Sequence, residues 1–250
     1  KKGIKLDGSN PTLLYGYGGF KISLTPWFSS SLFVWLERGG VYAVANLRGG
    51  GEFGSEWHRA GRRENKQNVF DDFIAAAEAL IAHRYTSSKR LAISGGSNGG
   101  LLVGATLVQR PDLFRAVVCR VPLLDMLRYH LHSIARLWIP EYGSAENAEE
   151  FKWLKAYSPY HNVKPRTAYP ATLFMTATSD SRVDPSHAWK MAARLQANTS
   201  GDGPILLRTE TKAGHGAGKP LSKRIESQLD RWMFLMNELG MLKTASHSEN

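Results

Sequence analysis

The apolar positions of this chain form short runs that alternate with longer segments of helical periodicity. Runs rich in Val, Ile, Leu and Tyr predict strands. These strands cover residues 12–17, 41–46, 91–94, 116–120, 172–177 and 205–211. Apolar residues spaced three and four apart predict helices over residues 28–38, 69–82, 99–110, 151–157, 186–197 and 222–239. The alternation indicates an α/β fold, with a mainly parallel sheet flanked by helices.

Local signals agree with this division. Asp184 followed by Pro185 is typical of a helix start, and Gly39 and Gly240 are typical of helix ends. We find no internal repeat, no low-complexity segment and no linker composition, so residues 1–250 are interpreted as a single domain.

Composition and charge narrow the classes of protein. With 42% hydrophobic and 22% charged residues, the chain can bury a core, which excludes general disorder. The single cysteine, Cys119, excludes an internal disulfide and a multi-cysteine zinc site. The net charge of +10 is scattered, and its densest stretches, 59–63 and 219–224, contain no interleaved aromatics. We therefore expect neither nucleic-acid binding nor, since no apolar run reaches about 20 residues, a membrane span. A cytoplasmic location is the default expectation, and the periplasm is the alternative if a signal peptide has been removed.

The strongest chemical signal is the segment Gly95-Gly-Ser97-Asn98-Gly99 between a predicted strand and a predicted helix. A sharp strand-to-helix turn of the form Gly-x-Ser-x-Gly exposes the serine hydroxyl, and the helix N-terminus favours negative charge developing beside it. The alternative is a glycine-rich turn that only packs or holds a phosphate, but no Gly-Lys-Ser/Thr follows as in a phosphate-binding loop. Ser97 is thus a candidate nucleophile.

Hydrolases with such a turn place an acid and then a histidine later in the chain. Asp180 follows the predicted strand 172–177, whereas its competitor Asp184 is explained by helix capping. His215 lies in a glycine-rich loop between the last strand and the last helix, where its ring could accept the serine proton. The predicted triad is therefore Ser97, Asp180 and His215.

The other reactive side chains have simpler interpretations. His130 and His132 form a His-x-His pair with no convincing third ligand, so we predict no metal site. Cys119 lies in an apolar run and is interpreted as a core residue. His58 and His83 are interpreted as parts of helical surface patterns.

Four motifs together resemble one peptidase family. They are Leu14-Tyr-Gly-Tyr17-Gly-Gly-Phe20, Asn46-Leu-Arg-Gly-Gly-Gly-Glu-Phe-Gly54, Gly95-Gly-Ser97-Asn98-Gly-Gly100 and Lys212-Ala-Gly-His215-Gly-Ala-Gly-Lys-Pro220. They resemble the catalytic domain of the prolyl oligopeptidase family over roughly residues 1–242. The resemblance implies an α/β-hydrolase fold and a serine endopeptidase without a cofactor, which cleaves short peptides on the carboxyl side of proline through an acyl-enzyme.

The resemblance also implies roles for further residues. Ser97, Asp180 and His215 match the catalytic triad of the family. The hydroxyl of Tyr17 and the backbone N–H of Asn98 match the two oxyanion-hole donors.

The remaining matches concern the proline pocket. The implied substrate-binding residues are Trp138 and Tyr142, which form the stacking wall, together with Phe20, Val183, Leu123 and Arg182. Without the resemblance, core packing would be the better interpretation of these aromatic residues. Leu123, Asp184 and Ser186 depart from the usual pattern and could alter the width or polarity of the pocket.

The family's β-propeller and its first hydrolase strands have no counterpart in this chain. We therefore expect a carboxyl-terminal portion of a longer, monomeric enzyme, or a truncated natural form. Two alternative functions follow: a broader α/β-hydrolase that acts on esters, and an inactive scaffold whose site is incomplete.

Overall fold

A parallel sheet of six strands organises the chain. The computed structural model describes residues 3–211, 214–215 and 220–242. The strands are β1 (Thr12–Tyr15), β2 (Val41–Val44), β3 (Leu91–Gly96), β4 (Ala116–Arg120), β5 (Ala171–Ala177) and β6 (Ile205–Glu210). They are ordered β2-β1-β3-β4-β5-β6, and every neighbouring pair is parallel. All six predicted strands are confirmed, with ends that differ by at most two residues.

Helices cover both faces of this sheet. They are α1 (Ser30–Glu37), α2 (Ser55–Arg59), α3 (Gln67–Ala82), α4 (Asn98–Gln109), α5 (Ile139–Tyr142), α6 (Ala148–Tyr157), α7 (Ser186–Asn198) and α8 (Leu221–Glu238). The six predicted helices are confirmed. Helices α2 and α5 were not predicted, because five and four residues are too few for a periodic pattern. In the described part of the chain, no helix combines the length and apolar character that a bilayer span requires.

One helix begins earlier than predicted because of a cap that the apolar pattern does not contain. The side chain of Asn147 accepts hydrogen bonds from the backbone N–H groups of Glu149 and Glu150, at 2.9 and 3.2 Å. These donors have no partner within the helix, so the cap stabilises a first turn that contains two glutamates. Helix α6 consequently begins at Ala148 rather than at residue 151.

Two apolar layers lie on opposite faces of the sheet. Successive strand side chains point to opposite faces, so Leu14 packs with α3 and α4, whereas its neighbour Leu13 packs with α1 and α8. Trp35 of α1 stacks on Trp232 of α8 with ring centroids 5.5 Å apart. Helix α4 is buried along nearly its whole length, from Asn98 to Val108. The first turn of α4 is therefore held rigidly at the carboxyl edge of the sheet.

Candidate active site

Ser97 occupies a strained turn between β3 and α4. Its φ is 57° and its ψ is −118°, a left-handed conformation that residues other than glycine seldom adopt. The backbone holds this conformation, because the Ser97 N–H donates to the carbonyl of Arg120 at 2.9 Å. Its own carbonyl accepts from the N–H groups of Gly100 and Leu101 in the first turn of α4. Such strain persists only where its surroundings enforce it, and it is typical of functional positions.

The two glycines that flank Ser97 permit this turn. A Cβ atom on Gly95 would lie 2.0 Å from the carbonyl oxygen of Gly99, inside any tolerable contact distance. A Cβ atom on Gly99 would lie 2.8 Å from the carbonyl oxygen of Gly16. The Gly-x-Ser-x-Gly motif therefore has a packing reason, since strand β3, helix α4 and the segment after β1 approach one another too closely for side chains.

Asp180 and His215 are joined across two loops at the carboxyl edge of the sheet. Nδ1 of His215 lies 2.7 Å from Oδ2 of Asp180, whose carboxylate is fully buried. Oδ1 of Asp180 accepts from the backbone N–H groups of Arg182 and Val183, both at 2.9 Å. Burial alone would raise the pKa of Asp180, but the hydrogen bonds from His215 and the two amides outweigh it and lower the pKa. The carboxylate is thus ionised and fixed, and can orient the imidazole.

The competing acid, Asp184, has other partners. Its Oδ1 accepts from the backbone N–H of Ser186 at 2.9 Å, in the first turn of α7, and its Oδ2 lies 3.5 Å from Nδ1 of His132. This arrangement agrees with the interpretation of Asp184 as a helix-start residue.

Ser97 and His215 line one cleft. It has a volume of about 1080 Å³ and extends from the two residues along α1 and α8, where Phe28, Val34 and Leu229 contribute apolar walls. The residues matched to the proline pocket do not line it.

The two predicted oxyanion-hole residues lie side by side. Asn98 is the first residue of α4, so its backbone N–H has no acceptor one turn earlier in the helix. Its side-chain Nδ2 donates to the backbone carbonyl of Tyr17 at 2.5 Å, which joins the segment after β1 to α4. Burial raises the pKa of Tyr17 to about 12, against a smaller opposite effect of its hydrogen bond with Ser97. The phenol is therefore neutral and can donate a hydrogen bond.

Three aromatic side chains next to this pair form an edge-to-face cluster. The ring of Phe20 lies 6.4 Å from that of Trp138 and 5.5 Å from that of Tyr142, at interplanar angles of 79° and 87°. Phe20 and Trp138 are partly buried, whereas Tyr142 is completely buried. The accessible aromatic surface here is thus supplied by Phe20 and Trp138, and Tyr142 supports them from below.

The other predicted lining residues divide into buried and exposed ones. Val183 and Leu123 are 2% and 1% exposed and belong to the core cluster that also contains Tyr142. Arg182 is exposed, and its positive charge acts on Tyr17. The structure therefore places Arg182 near Tyr17, whereas Val183 and Leu123 are core residues.

Three polar residues around these aromatics have no signal in the sequence: Glu141 and Lys66, which are buried, and His58, which is half-buried. The carboxylate of Glu141 accepts from the backbone N–H of Phe20 at 2.8 Å, and its second oxygen lies 2.8 Å from Nε2 of His58. Lys66 is 1% exposed and donates to the carbonyl oxygen of Gly18 and to Oδ1 of Asn98. His58 had been interpreted as part of a surface pattern, but it faces inward. Neither local composition nor periodicity signals these residues, since their contacts are 32 to 121 residues apart in sequence.

The remaining candidates have structural roles. Cys119 is buried with its thiol directed at the carbonyl of Gly100, and burial raises the pKa of that thiol. His130 and His132 lie beside different carboxylates: Nε2 of His130 is 3.5 Å from Glu146, and Nδ1 of His132 is 3.5 Å from Asp184. Among the described residues, no group of three or more His, Cys, Asp or Glu side chains is placed to hold a metal ion.

Comparisons with known proteins match the sequence and fold of this chain to one family. A family model described as "Prolyl oligopeptidase family" matches residues 26–242. The prolyl endopeptidase of Elizabethkingia meningoseptica is 51% identical over 242 residues, which are 96% of this chain and 34% of that protein. The prolyl endopeptidase of Dictyostelium discoideum is 47% identical and is matched over 94% of this chain and 31% of its own length.

Solved structures agree with the sequences. A prolyl endopeptidase structure with 58% sequence identity superposes with a TM-score of 0.95, covering 97% of this chain and 36% of that chain. A post-proline cleaving enzyme from Rickettsia typhi, 41% identical, superposes with a TM-score of 0.92 over 96% of this chain and 35% of that chain. The predicted α/β-hydrolase fold is confirmed by these likenesses. The chain spans about a third of the length of the relatives it matches.

Proposed function

Because this chain belongs to the prolyl oligopeptidase family of serine peptidases, we propose that it is the catalytic domain of an endopeptidase. Its substrates are short peptides, cleaved on the carboxyl side of proline. The observation that carries the proposal is the 2.7 Å contact between His215 and Asp180, in a cleft that Ser97 also lines from its strained turn. A longer protein would add the β-propeller expected from the resemblance.

Acylation begins when Ser97 attacks the proline carbonyl carbon and passes its proton to Nε2 of His215. Asp180 accepts the hydrogen bond from Nδ1 of His215 and stabilises the imidazolium that forms. The tetrahedral oxyanion receives hydrogen bonds from the Tyr17 hydroxyl and the Asn98 backbone N–H. His215 then protonates the leaving amine, which departs and leaves an acyl-enzyme. Water attacks this ester in the reverse proton sequence and releases the peptide acid.

Specificity for proline follows from the aromatic cluster. A prolyl pyrrolidine ring is compact, apolar and has no N–H to satisfy, so Phe20 and Trp138 can enclose it by contact area alone. Arg182 is exposed beside Tyr17 and would donate to a backbone carbonyl upstream of the proline.

The test is hydrolysis of a blocked Gly-Pro chromogenic peptide beside the matching Gly-Ala peptide and a nitrophenyl ester. We expect strong preference for Gly-Pro, abolished by Ser97→Ala. Ester turnover without Gly-Pro turnover would contradict the proline pocket and favour the broader esterase. A folded protein that is silent on all three substrates would favour the inactive scaffold.

A further inference from the structure

Lys66 is a buried cation whose two described hydrogen-bond acceptors are uncharged. It immediately precedes α3, and only 1% of its surface is exposed. Its Nζ donates to the carbonyl oxygen of Gly18 at 2.9 Å and to Oδ1 of Asn98 at 3.2 Å. It also lies 5.4 Å above the ring of Tyr142, which suits a cation. Burying an ammonium group costs several kcal/mol unless its surroundings compensate, so the position calls for an explanation beyond packing.

Both acceptors belong to the segments that carry the proposed oxyanion donors. Gly18 follows Tyr17 directly, and Asn98 supplies the second donor from its own backbone. The two segments meet through the Asn98 amide, whose Nδ2 donates to the carbonyl of Tyr17 and whose Oδ1 accepts from the Tyr142 hydroxyl at 2.8 Å. Lys66 thus contacts the segment after β1 and the first residue of α4 at the same time.

Packing leaves little freedom in this junction. A Cβ atom on Gly19 would lie 2.6 Å from Nδ2 of Asn98, so the Asn98 amide fills the space beside that glycine. Because the Lys66 ammonium can only donate, it requires the oxygen of the Asn98 amide to point toward it. This choice directs the NH₂ group of the same amide toward Tyr17. The ammonium group therefore selects one orientation of the Asn98 side-chain amide, and this amide sets the spacing of the two proposed oxyanion donors.

The charge of Lys66 has a second consequence. An α-helix carries partial positive charge at its N-terminus, so a cation beside the first residue of α4 is unfavourable until an anion approaches. An oxyanion that forms between Tyr17 and Asn98 would relieve this repulsion. The arrangement favours the transition state over the ground state, as a preorganised electrostatic site does. Burial lowers the pKa of Lys66 to about 8, and the nearby negative charge of the Glu141 carboxylate makes this shift smaller.

We propose that Lys66 is a positioning residue that holds Tyr17 and Asn98 at the spacing required by the oxyanion, and that it does so through Gly18 and the Asn98 side chain. The inference rests on the proposed function, because it assumes acyl transfer at Ser97. A positioning role of Lys66 differs from a purely structural role in one measurable respect. A positioning residue affects the tetrahedral state, whereas a packing residue affects stability or all ligands alike.

The test substitutes Lys66→Met in the complete protein that carries this chain, with exposed Lys152→Met as the matched control. We expect kcat on a Gly-Pro peptide to fall about 10- to 100-fold, with KM changed less than about twofold, because one element of oxyanion stabilisation is weakened. Affinity for a peptide aldehyde, which forms a hemiacetal oxyanion with Ser97, should fall by the same factor. Affinity for the cleaved peptide product should stay unchanged.

A second pair of variants covers the case in which Lys66→Met does not fold. Lys66→Gln retains donors without the charge, and Lys66→Arg retains the charge, so Arg should recover more of the kcat than Gln. Unchanged kcat in a folded Lys66→Met variant, or equal loss of aldehyde and product affinity, would overturn the positioning role of Lys66 and leave the proposed function standing. Absence of peptidase activity in the unsubstituted protein would overturn the proposed function and this inference together.

Discussion

The two halves of the candidate active site are built in different ways. Ser97, Tyr17 and Asn98 are held by backbone geometry: a left-handed turn, glycines in contact with carbonyls, and a helix whose first eleven residues are buried. Asp180 and His215 are held by a side-chain contact between two loops. We call these the nucleophile half and the acid–base half.

The two halves are therefore sensitive to different kinds of substitution. In the nucleophile half, a methyl group added to a glycine would force the backbone to shift. Removing the charge of Lys66 would instead alter the positions of the oxyanion donors. In the acid–base half, the loss of one carboxylate removes both the orientation of His215 and its electrostatic partner. Four measurements test this contrast, beginning with the largest expected effect.

Asp180→Asn should reduce kcat about 10⁴-fold, because an amide cannot stabilise the imidazolium and selects the wrong tautomer of His215. The free energy of unfolding should change far less, since Asn keeps the shape and can still accept from the N–H groups of Arg182 and Val183. Steady-state kinetics on a Gly-Pro peptide measure the effect. The control is Asp184→Asn, whose loss should stay below about tenfold; a larger loss there would reverse the assignment of the acid.

Tyr17→Phe should reduce kcat about 10²- to 10³-fold with little change in KM, as expected for losing one oxyanion donor. Since the pKa of Tyr17 is raised to about 12, the phenol stays protonated and its contribution should persist up to at least pH 10. The ratio of wild-type to variant kcat measured from pH 7 to pH 10 checks this. Tyr15→Phe, two residues earlier at the end of β1, is the control. A ratio that collapsed between pH 8 and pH 10 would contradict the neutral phenol.

Gly95→Ala should lower the free energy of unfolding by about 3 kcal/mol, because its Cβ would meet the Gly99 carbonyl oxygen at 2.0 Å and the backbone must shift. Gly96→Ala is a matched control one residue away. Its Cβ would find its nearest neighbour at 3.5 Å, an ordinary contact, so we expect less than about 1 kcal/mol. Urea denaturation compares the two. Equal losses would show that the turn adapts more easily than its geometry indicates.

The smallest effect concerns the pH dependence of the free energy of unfolding at a buried histidine. His187 of α7 is 2% exposed, and its Nδ1 accepts from the backbone N–H groups of Leu124 and Asp125 at 3.2 and 3.0 Å. Burial, aided by the charge of Lys190, lowers the pKa of His187 to about 4. The unfolded chain therefore binds one more proton between pH 6.5 and pH 4. The contribution of His187 to the free energy of unfolding is fully present above pH 6.5, and it is lost as the pH falls toward 4.

The slope from this group should be at most about 1.4 kcal/mol per pH unit. His187→Gln should flatten it, while exposed His83→Gln should not. Urea titrations at pH 7, 5.5 and 4.5 measure the difference from wild type. This comparison also removes the contribution of His161, whose pKa burial lowers as well. Parallel pH curves for wild type and His187→Gln would contradict a neutral buried imidazole.

Much of the fold could be predicted from the sequence because its signals are local. Residues 116–119 form an uninterrupted apolar run that ends at Arg120, and the structure has β4 over residues 116–120, since a central parallel strand is buried on both faces. The Gly-x-Ser-x-Gly turn could likewise be predicted, because close packing there admits only glycine. The short helices α2 and α5 were missed, since four or five residues carry no period.

Local sequence signals are sufficient to predict the order of strands and helices along the chain, the turn at Ser97 and the candidates Asp180 and His215. Three contacts became visible only in the folded chain: His58 against Glu141, the Glu141 carboxylate against Phe20, and Lys66 between Gly18 and Asn98. The physical reason is range. Hydrophobic periodicity and glycine sterics act between near neighbours, whereas a buried charge is compensated by groups that only the folded sheet brings within about 3 Å.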